Sequence, residues 1–167
     1  MFKTSPVVLV LCSAWFALVA GCGPYSFSGS GGPQLKSVNV PIFQDQTSEF
    51  GIDEELTNAV IEEFTRDNTL RITNRRNADS LLEGTIVRVD DRAGSFTNDE
   101  TVRDIKVFIT VHVKYEDLKK RKTVWEDDIT QWGTFNPDEG QKSREQGINE
   151  AIVKIANEIL NKSVSSW

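Results

Sequence analysis

Cysteine and histidine are scarce in this chain. Its 167 residues include two cysteines, Cys12 and Cys22, and one histidine, His112. Zinc sites built on several cysteines and histidines need more ligands than this count provides, so no metal site is expected. His112 falls on the polar side of an alternating stretch and has no cysteine available as a partner. We interpret it as a solvated or interface histidine.

The common catalytic motifs are also missing. The sequence contains no Gly-x-Ser-x-Gly elbow, no Gly-x-x-x-x-Gly-Lys-Ser/Thr phosphate loop and no His-Glu-x-x-His zinc motif. The pairs Asp90-Asp91 and Asp127-Asp128 could imitate a catalytic acid and base if they converged in one cleft. Adjacent residues of a strand point to opposite faces, so we interpret both pairs as surface charge. We expect no catalytic residues and no enzymatic activity.

Basic residues are outnumbered by acidic ones, 19 to 25, which gives a formal net charge of −6. General nucleic-acid binding needs a basic surface that displaces counterions from phosphates, so this class of function is excluded. The exception is the run Lys119–Lys122. It is either a solvated hairpin tip or a patch directed at the phosphates of lipid headgroups or a glycolipid. Arg103, Lys106 and Lys114, on the wet face of a predicted strand, could extend such a patch or could stop an exposed sheet from pairing.

The N-terminus has the features of an export signal. Lys3 precedes the run Val7–Ala20, in which every residue except Ser13 is apolar. At 14 residues the run is well short of the roughly 20 that a membrane-spanning helix needs. Small residues close the run directly before Cys22. This order predicts that residues 1–21 are a cleaved signal peptide.

The stretch that ends at Cys22 resembles the bacterial lipoprotein box, in which the cysteine becomes the acylated, palmitate-bearing N-terminus. The alternative is a plain secreted protein with a cysteine near its cleavage site by chance. With Cys12 removed and Cys22 carrying lipid, no intrachain disulfide is expected, and the covalent lipid is the sole expected attached group. Gly23 occupies the position where aspartate retains lipoproteins in the inner membrane. It therefore favours the periplasmic side of the outer membrane.

Residues 22–34 are expected to form a lipidated flexible tether. Glycines stand at positions 23, 29, 31 and 32 and serines at 26, 28 and 30. The 11 residues from Gly23 to Pro33 then have a root-mean-square reach of about 18 Å. A single domain, residues 35–167, would therefore hang just below the membrane surface.

The apolar spacing of this domain predicts an α+β fold. Two helices pack on one face of a mostly antiparallel sheet of about four strands, which makes a two-layer α/β sandwich. A bulge is expected near Gly84, a loop at Asp90–Glu100, and a capping box formed by Ser143 and Gln146. Strands are predicted at Leu35–Phe43, Leu70–Thr73, Ala78–Val89, Ile105–Tyr115 and Thr123–Thr134, and helices at about Asp53–Asp67 and from Ser143 to about Lys162.

Several blocks of sequence, taken in order, resemble the lipopolysaccharide-assembly lipoprotein family LptE. The resemblance covers Cys22 to Ile159. The blocks that carry it are Gly21–Gly29, Val40–Phe43, Leu56–Ala59 with Glu63-Phe64, and Ala78-Asp79 with Leu82–Ile86.

The resemblance implies a Gram-negative outer-membrane lipoprotein that serves as a partner of the LptD-like β-barrel, which inserts lipopolysaccharide. In that family the lipoprotein plugs the barrel lumen, supports barrel assembly and contacts lipopolysaccharide. The alternative from another class is a lipoprotein that activates a periplasmic cell-wall synthase, which would require a longer tether.

The resemblance also suggests basic residues for lipopolysaccharide binding. The family has a basic residue just before the second helix, where this chain has Lys142. A second basic position lies beside an aromatic that matches Phe96. Because Thr97 follows Phe96 here, Arg92 or Arg103 would have to supply that charge. Together with Lys106 and Lys114, these are the candidate lipopolysaccharide-binding residues.

Overall fold

The structure is a computed structural model that describes residues 35–96 and 102–165. All of these belong to one structural unit, which spans Gln34–Trp167. The predicted signal peptide, Cys22 and the tether lie outside the described residues, as do residues 97–100 of the predicted loop. Signal cleavage and acylation therefore stay predictions.

The two helices are α1, Ile52–Asp67, and α2, Gln141–Ser165. The first turn of α1 carries three acidic residues, which the positive end of the helix dipole stabilises. The helix ends at Asn68, which has a left-handed backbone (φ 61°) and donates its N–H to the Phe64 carbonyl at 3.0 Å. The prediction of this helix is confirmed. Its buried apolar face consists of Ile52, Leu56, Val60 and Phe64.

The sheet has six strands, in the order β3-β1-β4-β5-β6, with β2 also paired to β4. The long strands β4, β5 and β6 are antiparallel neighbours, whereas the short strands pair in parallel. The strands are β1 Ser37–Asn39, β2 Gln44–Asp45, β3 Arg71–Ile72, β4 Ser80–Phe96, β5 Val102–Asp117 and β6 Lys122–Phe135.

The core lies between the helices and one face of this sheet. Along β5 every second residue from Val107 to Tyr115 is completely buried. The apolar stripe of α2, which includes Ala151, Ile155 and Ile159, belongs to the same core cluster. The predicted α+β class, with two helices on one sheet face, is therefore confirmed. The sheet contains about two more strands than predicted. β1 occupies only the middle of the expected strand Leu35–Phe43, and β2 follows the end of that expected strand.

β4 differs from its prediction in length and in the position of its bulge. It continues to Phe96, so Asp90 and the six residues after it belong to a strand and not to a loop. Pairing with β5, which includes every residue of this polar half except Gly94, stabilises it although apolar alternation is absent. The bulge falls between Ile86 and Arg88. Gly84 has a different role, because a Cβ there would lie 2.3 Å from the Phe43 ring.

The start of α2 also differs from its prediction. The helix begins at Gln141, two residues before the expected cap. The Ser143 hydroxyl accepts a hydrogen bond from the backbone N–H of Asn136 at 3.0 Å. Asn136 in turn caps the 3-10 turn Pro137–Glu139, by accepting from the backbone N–H of Asp138 at 3.0 Å. The capping-box prediction for Ser143 and Gln146 was therefore wrong.

Candidate functional site

The face of the sheet opposite the helices is lined by the second set of alternating β5 side chains. We call this surface the open face. It consists of Lys106, Phe108, Thr110, His112 and Lys114 with the residues that pair with them in β4 and β6. All of these β5 residues except Thr110 are partly exposed, whereas their neighbours on the strand are mostly buried. On this sheet, the side chains of the open face are therefore the ones that a ligand or partner could reach.

One end of the open face holds cations against aromatic rings. Lys106 places its Nζ 3.7 Å from the ring centroid of Trp132, and Lys154 of α2 places its Nζ 4.3 Å from the same centroid. The guanidinium carbon of Arg92 lies 4.6 Å from the ring centroid of Phe108. These distances are those of cation–π contacts. We call Arg92, Lys106, Phe108, Trp132 and Lys154 the cation–aromatic cluster.

The pairing of strands explains why these side chains meet. Arg92 is the cross-strand partner of Lys106, and Phe108 is the partner of Trp132. Lys154 reaches the same ring from α2 and donates to the Trp132 carbonyl at 2.9 Å. Rings that hold the cationic groups in place leave N–H donors for an anion, so the arrangement suits phosphate or carboxylate oxygens.

At the other end of the open face, acidic and basic side chains neutralise one another. His112 contacts Asp128 through Nδ1 at 2.7 Å and Glu126 through Nε2 at 3.1 Å. The hydrogen bond with Asp128, supported by that with Glu126 and opposed by partial burial, raises the pKa of His112 above its ordinary value. Lys114 contacts Glu116 at 2.6 Å, a hydrogen bond that raises the lysine's pKa. The half-exposed His112 agrees with its interpretation as a solvated histidine.

A groove borders this ionic end. It has a volume of about 300 Å³ and lies between the segment before β2 and the β4–β5 pair. Its lining includes Ile42, Gln44, Glu83, His112 and Lys114, so both signs of charge face it. Within residues 35–96 and 102–165, no group of three carboxylate, histidine or cysteine side chains could hold a metal ion. Neither described helix is long and apolar enough to cross a membrane.

The acidic pairs are separated as predicted. The two members of each pair contact different partners, so the carboxylates of a pair do not converge in one cleft. Asp90 contacts Arg92, Asp91 contacts Arg144, Asp127 contacts Lys162, and Asp128 contacts His112.

The structure brings together two of the five candidate lipopolysaccharide-binding residues. Arg92 and Lys106 are direct cross-strand partners. Lys114 shares their face but lies eight residues further along β5, a distance of about 27 Å. Arg103 is exposed but falls at a register shift and has no partner on β4, so it is not part of the Arg92–Lys106 pair. Lys142 is the second residue of α2.

Sequence reasoning missed three members of the cluster. Phe108 and Trp132 are aromatic residues within predicted strands, and such residues are most often interpreted as part of the core. Lys154 lies 22 positions after Trp132 in the chain, so its contact depends on how α2 packs along β6. The alternation of β5 could have indicated Phe108, because it lies between Lys106 and Thr110 on the wet side.

Comparison with known proteins gives a family match. A family model described as LptE, lipopolysaccharide-assembly, matches residues 35–163. Among curated protein sequences, none matches this chain. The matched range covers both helices except the last two residues of α2, and all six strands.

Solved structures share the fold at low sequence identity. A hypothetical protein from Chlamydia trachomatis is 8% identical, with a TM-score of 0.61, and the match covers 78% of this chain and 96% of that one. A protein from Xanthomonas campestris is 10% identical, with a TM-score of 0.61 and coverage of 81% and 90%. Rare lipoprotein B from Shewanella oneidensis is 18% identical, with a TM-score of 0.51 and coverage of 77% and 95%. These similarities show the fold alone.

Proposed function

Because this chain belongs to the LptE family of lipopolysaccharide assembly, we propose that it is a non-enzymatic outer-membrane lipoprotein that plugs the lipopolysaccharide-inserting β-barrel and helps to assemble it. The observation that carries this proposal is the family match, which extends over nearly all of the described fold. The proposed partners are an LptD-like barrel and lipopolysaccharide itself.

The surface of the domain supports a place inside a barrel. Large membrane barrels have a polar lumen, so a plug needs charged and hydrogen-bonding side chains on its outside. The open face provides them: Arg88, Thr110 and Thr130 occupy its middle, between the cation–aromatic cluster and the ionic end. The hydroxyls of Thr110 and Thr130 lie 2.9 Å apart. A lumen wall with complementary hydrogen-bonding groups could dock against this face.

The lipid anchor is the second part of the proposal. Acylation of Cys22 would hold the domain on the periplasmic side of the outer membrane, and several acyl chains on one cysteine hold a protein stably. Mass spectrometry of the protein purified from membranes tests this directly. We expect an acylated N-terminal Cys22, whereas an unmodified thiol would contradict the anchor. The Cys22→Ser variant serves as the control and should leave the membrane fraction.

For direct contact with lipopolysaccharide, the cation–aromatic cluster is the proposed site. Its Arg92 and Lys106 point donors at one place on the open face, while Arg103, Lys114 and Lys142 are candidates outside the cluster. Arg92 also binds Asp90 at 3.0 Å, a pair that a lipid phosphate would compete with. The double variant Arg92→Gln/Lys106→Gln should bind lipopolysaccharide roughly tenfold or more weakly. Equal binding by this variant and the parent would reject the site.

A control variant with the same change in charge is available outside the cation–aromatic cluster. Arg66→Gln/Lys162→Gln removes two cations that pair with Glu62 and Asp127 and belong to neither the cluster nor the open face around it. We expect this variant to bind lipopolysaccharide like the parent. A similar loss in both variants would mean that net charge, and not the cluster, determines binding.

The barrel partner is tested by purification from native membranes. A tagged chain extracted in mild detergent should bring down one large β-barrel in a tight complex. Recovery of the chain alone, or with a soluble enzyme, would count against the proposal. Depletion should reduce lipopolysaccharide at the cell surface. Loss of cell-wall synthesis with normal surface lipopolysaccharide would instead indicate the activator of a periplasmic synthase.

A further inference from the structure

One end of the domain concentrates positive charge. Eight of the chain's 19 basic residues lie there, although the net charge is −6. We call this surface the basic end. All eight residues are exposed. They are Lys36, Arg71, Arg75, Arg76 and the four residues Lys119–Lys122.

The fold brings these residues together from four separate segments. β1 and β3 begin side by side, with Ser37 opposite Arg71, while β4 begins where β5 ends, with Ser80 opposite Asp117. The turn between β5 and β6 is fixed here because Leu118 donates its N–H to the Asp79 carbonyl at 2.9 Å. The cluster of charge is therefore a product of topology and not of one sequence run.

Two carboxylates at this end, those of Asp79 and Asp117, are turned inward and support the turns that carry the cations, while the exposed Glu83 pairs with Arg75 at 3.6 Å. Asp79 contacts the Lys119 ammonium at 2.6 Å, and its other oxygen accepts from the Lys36 backbone N–H at 2.8 Å. Asp117 accepts from the backbone N–H groups of Lys119 and Lys120, at 2.9 and 2.8 Å. The Asp79 and Asp117 side chains are 15% and 7% exposed, against 47% and 52% for Lys119 and Lys120. The charge displayed outward is therefore positive.

The chain enters the domain at this same end. Leu35 precedes the basic residue Lys36, and residues 23–34 separate Leu35 from Cys22. If these residues form the tether that their composition predicts, its root-mean-square reach is about 20 Å. The opposite end of the sheet is farther away, because the 16 residues of β5 extend about 50 Å. If Cys22 is anchored, the basic end is the part of the domain nearest to the lipid.

We propose that the basic end rests on the anionic phosphate headgroups of the leaflet that holds the lipid anchor. This inference rests on the proposed acylation of Cys22. Each cation near an anionic surface strengthens binding about fivefold, so the basic end is a second membrane signal beside the acyl chains.

The test uses the chain from residue 22 onward with Cys22→Ser, so that its result does not depend on acylation. Among the described residues the core cluster begins at Leu35, so this chain keeps every one of those core residues. Binding is measured by sedimentation with vesicles of phosphatidylethanolamine and phosphatidylglycerol at 3:1, and with phosphatidylcholine vesicles. The basic-end variant is Arg76→Gln/Lys120→Gln/Lys122→Gln. The control with equal charge loss is Arg66→Gln/Arg88→Gln/Lys162→Gln, which removes three cations that pair with carboxylates outside both the basic end and the cation–aromatic cluster.

We expect the parent chain to bind the anionic vesicles but not the phosphatidylcholine vesicles, and to dissociate from the former as the salt concentration rises. The basic-end variant should bind roughly 100-fold more weakly, and the control variant within about threefold of the parent. Absence of parental binding, or a loss confined to the control, would overturn the proposal and assign the basic end to an acidic protein surface or to none. Vesicle binding by an unlipidated chain can succeed even if the barrel complex is not found, so the two proposals fail separately.

Discussion

Arg144 of α2 binds Asp91 of β4, with its Nε donating to Oδ2 at 2.8 Å and its Nη2 to Oδ1 at 3.3 Å. The same guanidinium donates to both carboxylate oxygens of Glu49, at 3.0 and 2.8 Å. Its side chain is 19% exposed. The hydrogen bonds that Arg144 donates to Glu49, and secondarily to Asp91, raise the pKa of Arg144 above its ordinary value. One side chain thus joins α2, β4 and the segment that leads into α1.

Removing this guanidinium should destabilise the domain. We expect Arg144→Ala to lower the free energy of unfolding by about 2–3 kcal/mol, because two partly buried carboxylates lose their partner. Arg144→Lys keeps the charge but not the planar fork, so it should lose about half as much. Urea unfolding followed by circular dichroism measures both. Arg88→Ala, which removes an exposed contact with Asp90, is the control and should cost about 0.5 kcal/mol or less. Equal losses for Arg144→Ala and Arg88→Ala would contradict the role of Arg144.

Local signals in the sequence predicted those elements whose stability depends on their own periodicity. The helical spacing from Ile52 to Phe64 and the alternation of β5 each repeat several times, so α1 and the central strand were predicted well. β2 and β3 have two residues each and exist because of their partners, such as Gln44 beside Thr85. The outer half of β4 is polar, and its pairing with β5 alone makes it a strand.

The candidate site was predictable by residue type but not by geometry. Basic residues on the wet face indicated anion binding, yet which of them meet depends on strand register. Arg92 and Lys106 are partners because the bulge after Ile86 shifts β4 by one residue. Arg103 has no partner on β4 because another register shift lies opposite it. The contact of the Trp132 ring with Lys154 depends on how α2 packs against the sheet, and sequence patterns do not specify that packing.

His112 should titrate above its ordinary pKa. Its hydrogen bond with Asp128, aided by that with Glu126, favours the imidazolium and raises the pKa of His112. Because it is the one histidine of the chain, its NMR signals need no assignment by mutation. We expect a midpoint above about 6.5 that falls in the Asp128→Asn variant. Asp127→Asn, which instead removes a contact with Lys162, should change it little. A midpoint at or below 6.5 in the parent would refute the contact.

The same contact predicts how stability depends on pH. A histidine pKa that is higher in the folded than in the unfolded state stabilises the fold fully below the unfolded value, near 6.5, and less as pH rises through the folded value. The difference in unfolding free energy between the parent and His112→Asn should therefore be largest in mildly acidic buffer and should shrink above pH 6.5. Urea titrations across this pH range measure it. A difference that grows with pH would have the wrong sign.

Gly133 of β6 marks the closest approach of the sheet to α2. A Cβ at this position would lie 1.9 Å from the backbone oxygen of Gly147, which cannot move without displacing the helix. Gly133→Ala should therefore lower the free energy of unfolding by about 3 kcal/mol or more. Gly51→Ala is the control: its site has open space, so only the strain of its left-handed backbone (φ 78°) should count, about 1–2 kcal/mol. Thermal unfolding of both variants would show which is more damaging, and an equal loss would argue against a close contact.

Thr57 links α1 to the segment before β2 through a buried hydroxyl. It accepts from the Phe43 backbone N–H at 3.0 Å and donates to the Asp53 carbonyl at 2.6 Å. Thr57→Val keeps the shape but leaves the Phe43 N–H without an acceptor, so it should cost about 1–3 kcal/mol of unfolding free energy. Thr65→Val removes a hydroxyl that donates to the Ile61 carbonyl on the exposed side of the same helix, and should cost well under 1 kcal/mol. Hydrogen exchange of the Phe43 amide should accelerate in Thr57→Val and stay unchanged in Thr65→Val. Unaltered protection of this amide in Thr57→Val would show that another group satisfies it.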